Sequence, residues 1–274
     1  MQVAEIFEKA TGRLPMVPKV VQELVASFHR PGVNIDEVAD MVGHDQVLTA
    51  RVLRLANTAR FGGNRTVGSL DDAVLLLGFD NLRVLVIASG VTGASASIPG
   101  FDMKGFWQRS FEMANTAKCL AKLAKMDSQL GYTCGLLAGI GELVLHVALP
   151  EEALKIDKVV AGGADRTATE RMVLGVDLTQ VGAELARRWN FPDAIQQAIL
   201  HQHDLLKTAH NSPYAVLTGL SSFLVSGFNR GMSEDEMLAI LPQSVIDALG
   251  IPGEALGAAL PELKLASTTL DELL

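Results

Sequence analysis

Apolar residues recur at three- and four-residue steps along almost the whole chain, and no Asn-Gly or Asp-Gly turn lies between alternating strands. Together these facts dictate an all-α architecture: a period near 3.6 buries one stripe of a helix, whereas a strand needs a period of two. Val17, Val20, Val21, Leu24, Val25 and Phe28 form the first stripe, which stops at Pro31-Gly32. Asn34 with Glu37 has capping-box spacing, Asp45 precedes Leu48, Val52, Leu55, Ala56 and Ala59, and Ser69 with Asp72 caps a segment ending at Gly78. Residues 82–87 are apolar on nearly every side, the pattern of a buried helix. Residues 106–125 and 132–149 each predict a helix of about five turns. Further starts fall at Thr167 with Glu170, at Asp177, at Pro192 as a first-turn proline, and at Ser233 with Glu236. The small, polar run 93–100 predicts a linker between an N-terminal lobe of short helices and a lobe of longer ones.

Composition sets the remaining bounds. With 49 % hydrophobic and only 5 % aromatic residues in 274, the core is built from Ala, Leu, Val and Ile, and there is enough of it to exclude disorder. A net charge of −8 argues against a general affinity for nucleic-acid phosphate or an anionic membrane. Residues 1–14 contain Glu5 and Glu8 and lack the basic-then-apolar pattern of a secretory signal. The most apolar stretch, residues 135–149, is interrupted by Glu142 and His146 and is too short for a membrane span. Cys119 and Cys134 make neither a disulfide framework nor a metal-ligand spacing. A cytoplasmic protein without a membrane partner is expected.

Motifs for common chemistries fail individually. Gly139-Ile140-Gly141 begins a dinucleotide fingerprint, but the third glycine would fall at Val144 and no strand precedes it, so close helix packing is the better use of these glycines. His201 and His203 are two residues apart and would point in nearly opposite directions on a helix, so they cannot share one ion. Neither Gly-x-Ser-x-Gly nor a cysteine with an evident base occurs. The pairs Asp71-Asp72 and Glu151-Glu152 sit at helix starts, where the helix dipole favours them. One cationic stretch stands out: Arg51, Arg54, Arg60 and Arg65, with no acid between the first and last. Arg51, Arg54 and Asn57 share a helix face, which is either a solvated surface or a contact for a partner.

Several strings in fixed order resemble the HDOD domains, output domains of bacterial signalling related to the metal-dependent HD phosphohydrolases. They are Leu14-Pro15-Met16-Val17-Pro18; the run from His44-Asp45-Gln46 through Arg51-Val52-Leu53-Arg54-Leu55-Ala56-Asn57; Ser69-Leu70; Leu75-Leu76-Leu77-Gly78; Phe106-Trp107; Leu136-Leu137 to Leu145; and Leu174-Gly175-Val176-Asp177 to Trp189-Asn190-Phe191-Pro192. The resemblance spans roughly residues 10–225. It implies an HD-related multi-helix bundle over 1–225, with an N-terminal lobe over 1–92, the linker at 93–100 and an HD-like lobe over 101–225. Residues 226–274 lie beyond it and are expected to form a helical appendage.

The resemblance also makes the catalytic question concrete. Active HD enzymes hold metal with a His, an adjacent His-Asp pair and a later Asp. In this chain Arg109 stands at the first position, Ala138 and Gly139 at the pair and Ser222 at the late Asp, while Leu178 replaces a His common among relatives. Glu142 takes the place of a basic residue that could face a phosphate. No metal and no cofactor is therefore expected. The implied function is a non-catalytic module working through protein contact with a kinase, a response regulator or a cyclic-dinucleotide enzyme. Arg51, Arg54, Asn57 and Arg60 are the candidate contact surface. The alternative is an anion or nucleotide sensor with Arg109, Glu142 and His201 as cleft ligands; an active phosphohydrolase ranks last. No receiver-like alternation of strands and helices is present, so the input signal is expected from another chain or region.

Overall fold

The computed structural model describes residues 1–10, 24, 35–44, 46–57, 67–78, 82, 98–204 and 212–267. All regular structure among them is helical. In chain order the elements are α1 (Val3–Lys9), α2 (Ile35–Gly43), α3 (Gln46–Ala56), α4 (70–78), α5 (Met103–Leu123), α6 (Ser128–Leu137), α7 (Ile140–Ala148) and α8 (Pro150–Ala161). They continue as α9 (Arg166–Leu174), α10 (Leu178–Arg188), α11 (Asp193–His201), α12 (Pro213–Asn229), α13 (Glu234–Ile240), α14 (Gln243–Ala248) and α15 (Gly253–Ser267). Most of the expected 17–28 stripe, the starts at Asn34 and Asp45, residues 83–87, Arg60, Arg65 and 93–97 of the linker lie outside the described residues. Leu24 and Leu82 are helical and fully buried.

Local chemistry explains where these helices begin. Ser233 and Glu236 form the expected capping box, and Asp177 caps α10 by accepting from the Thr179 and Gln180 amides while Gln180 reaches back to the Asp177 amide. The start expected at Thr167 is corrected: Asp165 caps α9, accepting from the Ala168 amide at 2.8 Å and the Thr167 hydroxyl at 2.7 Å. A carboxylate two residues upstream outcompetes the threonine for the free amides of the first turn. Pro192 occupies the cap position of α11, one residue before the helix proper.

The single helix expected over 132–149 is also corrected, because α6 and α7 are separated by Ala138 and Gly139. In a continuous helix the Ala138 carbonyl would accept the Glu142 amide. Here that amide donates to the Gly139 carbonyl at 2.9 Å, and the Ala138 carbonyl accepts instead from Gln202 Nε2 at 2.9 Å. Residues Ser128–Ala148 are long and apolar enough to cross a membrane, a wider stretch than the sequence reading gave, and 78 % of its most apolar 18-residue window is buried inside the protein.

Two apolar clusters share α5. One gathers Phe106, Phe111, Leu136, Leu137, Ile140, Val144, Val181, Ile195 and Ile199 with Ile6 of α1 and Val38, Val52 and Val74 of α2, α3 and α4. The other joins Leu120 at the far end of α5 to Leu217 and Leu224 of α12, Met237, Ile246, and Leu256, Leu260 and Leu263 of α15. Residues 237–263 are thus anchored on α5 and α12 by buried side chains. At the α7–α10 crossing, a Cβ on Gly141 would lie 1.9 Å from the Leu178 carbonyl oxygen and 2.8 Å from the Gly182 nitrogen, so only glycine permits this approach.

Candidate functional site

Residues from α5, α6, α7, α9, α10, the end of α11 and α12 converge on one cavity of about 420 Å³. Asp102 opens α5 by accepting the Gly105 amide at 2.9 Å, which sets Phe106, Arg109 and Met113 along the cavity-facing side. The α6–α7 break contributes Ala138 and Gly139, with Glu142 following in the first turn of α7. Asp165 and Arg166 arrive from the start of α9, Leu178 from the start of α10, and Gln202 and His203 from the end of α11. Ser222, Val225, Ser226 and Asn229 complete the wall from one face of α12, with Arg230 at its end.

All five positions that the resemblance marks as metal-ligand positions, Arg109, Ala138, Gly139, Leu178 and Ser222, line this cavity. Glu142 lines it too. His201 does not, and that expectation is corrected: Gln202 is turned into the α6–α7 break by bonds to the Ala138 and Ile199 carbonyls, and His203 follows it into the cavity. Burial holds the His203 imidazole below the usual histidine range, more strongly than the neighbouring carboxylates Asp165 and Asp177 raise it.

Sequence reasoning missed the central cation. Arg166 places Nη2 2.6 Å from Asp157 Oδ1 and 3.5 Å from Glu142 Oε1, while its Nη1 lies 3.4 Å from Glu170 Oε1. Arg109 Nη2 reaches the same Glu142 oxygen at 3.4 Å. Behind them, buried His146 faces the Glu142 carbonyl with Nδ1 and Asp157 Oδ2 with Nε2, both at 2.8 Å, and lies 4.2 Å from the Phe101 ring. Burial pushes Asp157 upward, but hydrogen bonds from Arg166 and His146 prevail and hold it below the ordinary carboxylate range. Burial wins at Glu170, which is pushed up to about 7 although the Leu178 amide donates to its Oε2 at 2.7 Å and Arg166 lies beside it. Only the Arg166–Glu170 and Glu142–His146 links of this network have a helical spacing of four. Its longest link, Arg109 to Glu142, crosses 33 positions.

The donor set does not fit a metal ion. Of the residues at the five positions, only Ser222 offers a neutral oxygen, and Arg109 brings a positive charge. Asp165 is engaged at the α9 cap, and Glu142 is shared by two guanidiniums. Among the described residues no group of three or more His, Cys, Asp or Glu side chains is placed to hold an ion.

The other candidate surface is only partly assembled. Arg54 is exposed on α3 and Arg51 is half-buried. Asn57 is exposed just after α3 with its amide held: its Nδ2 donates to the Leu53 and Val67 carbonyls and its Oδ1 accepts the Val67 amide, each at 2.8 Å. It ties residue 67 to the end of α3.

The sequence profile of the HDOD domain matches residues 14–205. A curated protein of Treponema pallidum, itself uncharacterised, is 29 % identical over 196 residues, covering 70 % of this chain and 38 % of that one. The chain thus spans well under half of that relative's length. Among solved structures, a candidate phosphohydrolase from Shewanella amazonensis is 33 % identical with a TM-score of 0.72, each chain covered to 96 %. A candidate signal transduction protein from Marinobacter aquaeolei is 26 % identical with a TM-score of 0.75, covering 93 % of this chain and 58 % of that one. An HDOD domain protein of unknown function from Geobacter sulfurreducens is 25 % identical with a TM-score of 0.72, covering 100 % of this chain and 99 % of that one.

Proposed function

Because this chain belongs to the HDOD domain family, matched over residues 14–205, we propose that it is a non-catalytic output module of a bacterial signalling system that acts through contact with another protein. The observation that carries this reading is the cavity wall. The positions that would supply metal ligands converge on one site, and they present a guanidinium, a methyl, a bare backbone, an isobutyl group and one hydroxyl. Metal-assisted hydrolysis requires an ion that lowers the pKa of bound water and polarises the phosphoryl group, and the side chains at these five positions supply no ligand set for one. The likeness to a candidate phosphohydrolase concerns fold and sequence, which many functions share. The same reading takes the signal from another chain or region and has the protein act in the cytoplasm.

The test has two arms. Elemental analysis of protein purified without chelators, paired with a phosphatase assay in added Mn, Fe, Zn or Mg, is expected to find no stoichiometric metal and no turnover. One bound metal per chain together with phosphatase activity overturns the reading. The second arm compares wild type with the double charge reversal Arg51→Glu/Arg54→Glu in capture from a bacterial lysate. A signalling protein retained by wild type and lost by the variant supports contact through α3; identical capture by both removes α3 from the proposal.

A further inference from the structure

We propose that the cavity is a binding site for a phosphomonoester-type dianion held between Arg109 and Arg166, and that the Glu142 carboxylate is a built-in competitor occupying the anion position. This rests on the non-hydrolytic reading of the same site. Two guanidiniums from different helices converge on a single oxygen, Glu142 Oε1, at 3.4 and 3.5 Å. Charge-assisted pairs close at about 2.7–2.9 Å, and Arg166 achieves 2.6 Å with Asp157. Glu142 therefore sits at the focus of two cations without closing on either. A phosphoryl group with three oxygens can meet both guanidiniums at once, which one short carboxylate fixed to α7 does not.

The rest of the wall suits the same ligand. Arg109 has 51 % of its side chain exposed and can swing to meet an incoming group, whereas Arg166 (23 %) is anchored from behind by Asp157 and Glu170. Across the cavity, α12 presents Ser222, Ser226, Asn229 and Arg230, and His203 stands at the end of α11. Three guanidiniums (Arg109, Arg166, Arg230) and two carboxylates (Glu142, Asp165) line the space among the described residues. Displacing Glu142 from the focus leaves that lining with a larger excess of positive charge, the sign an anionic ligand needs. Phe106, Met113, Leu178 and Val225 supply an apolar floor, so a ligand with a ring or carbon skeleton attached to its phosphate fits better than free phosphate. The volume of about 420 Å³ lies in the range of small-molecule sites. At Gly139 an added Cβ would meet only Phe106 Cε2, at 3.7 Å, so the space beside the α6–α7 break is open.

The experiment is calorimetric titration of the full chain in EDTA with a nucleoside monophosphate, inorganic phosphate and the parent nucleoside, for wild type, Glu142→Gln and Arg109→Met. Glu142→Gln is expected to bind the monophosphate about tenfold more tightly than wild type, since one like charge leaves the focus. Arg109→Met, a half-exposed position whose change leaves the core intact, is expected to weaken it about tenfold. Nucleoside without phosphate is expected not to bind. Monophosphate binding tighter than inorganic phosphate identifies an organic phosphate as the ligand; equal affinities identify free phosphate. Unchanged or weaker binding by a folded Glu142→Gln overturns the proposal, and so does unchanged binding by Arg109→Met. Turnover of the monophosphate on adding metal would instead strike the non-hydrolytic reading while leaving the anion site standing, so the two failures are distinguishable.

Discussion

The two ends of α5 lie in contrasting surroundings. Around Phe106, Arg109 and Met113 the helix borders a cavity backed by a charge network in which Arg166, Asp157, Glu170, Glu142 and His146 satisfy one another. Around Leu120 it enters a cluster closed by Leu217, Leu224, Leu256 and Leu260. The apolar end is held by non-directional burial that is insensitive to pH. The charged end is held by directional pairs whose desolvation cost consumes much of their attraction, so it adds little net stability while intact and costs a great deal when one member is removed. An ion-pair cluster kept beside a cavity on such terms is better explained by what it binds or positions than by folding energy.

Three substitutions sharpen this contrast, in descending order of effect. Leu120→Ala, at a fully buried position, is expected to destabilise the protein by about 2–5 kcal/mol in denaturant unfolding, equally at pH 5 and pH 8. Arg166→Met is expected to cost about 2 kcal/mol near neutral pH, because Asp157 loses the cation that holds it below the ordinary carboxylate range; the loss is expected to shrink at acid pH, where that carboxylate is protonated. A loss that stays constant across pH would mean that Arg166 acts through packing alone. Glu170→Gln gives the smallest effect and the most specific one. The carboxyl of Glu170 is raised from the model-compound value of 4.5 to about 7, so the folded state holds its proton more tightly than the unfolded chain. Its stabilising contribution is complete below pH 4.5 and is lost as pH rises towards 7. His203, lowered by burial, works in the opposite direction over part of the same window. The readout is therefore wild type minus variant: a difference of the order of 1–2 kcal/mol that declines from pH 4.5 to 7. A flat difference would show that Glu170 titrates normally.

How much of this was legible in the sequence depends on the range of the interaction. Helices follow from a local period, and the caps at Asp177 and Ser233 follow from spacings of three. Where a local rule had two claimants, as with Thr167 and Asp165, the sequence reading took the motif and the fold took the stronger acceptor. The break after α6 was hidden because the group that captures the Ala138 carbonyl lies 64 positions away, at Gln202. The cavity wall was readable at Arg109, Ala138, Gly139, Leu178 and Ser222 only through the family resemblance. Arg166 carried no such mark: Glu170 is its neighbour on α9, but Asp157 and Glu142 lie on two other helices, α8 and α7. His146 registered only as an interruption of an apolar run, yet it orients Asp157. The exchange of His201 for His203 in the cavity turns on how α11 ends, at His201 with Gln202 as its cap.

The 21 residues of α5 make a rod of about 30 Å. Because both apolar clusters grip it, tilting the cavity end by about 5° carries the far end roughly 2.5 Å sideways into α15, about half a helical turn's pitch. Close-packed side chains at Leu256, Leu260 and Leu263 do not absorb a displacement of that size without changing partners. A displacement of the cavity end beside Arg109 would thus be felt by the C-terminal helices packed on the other end.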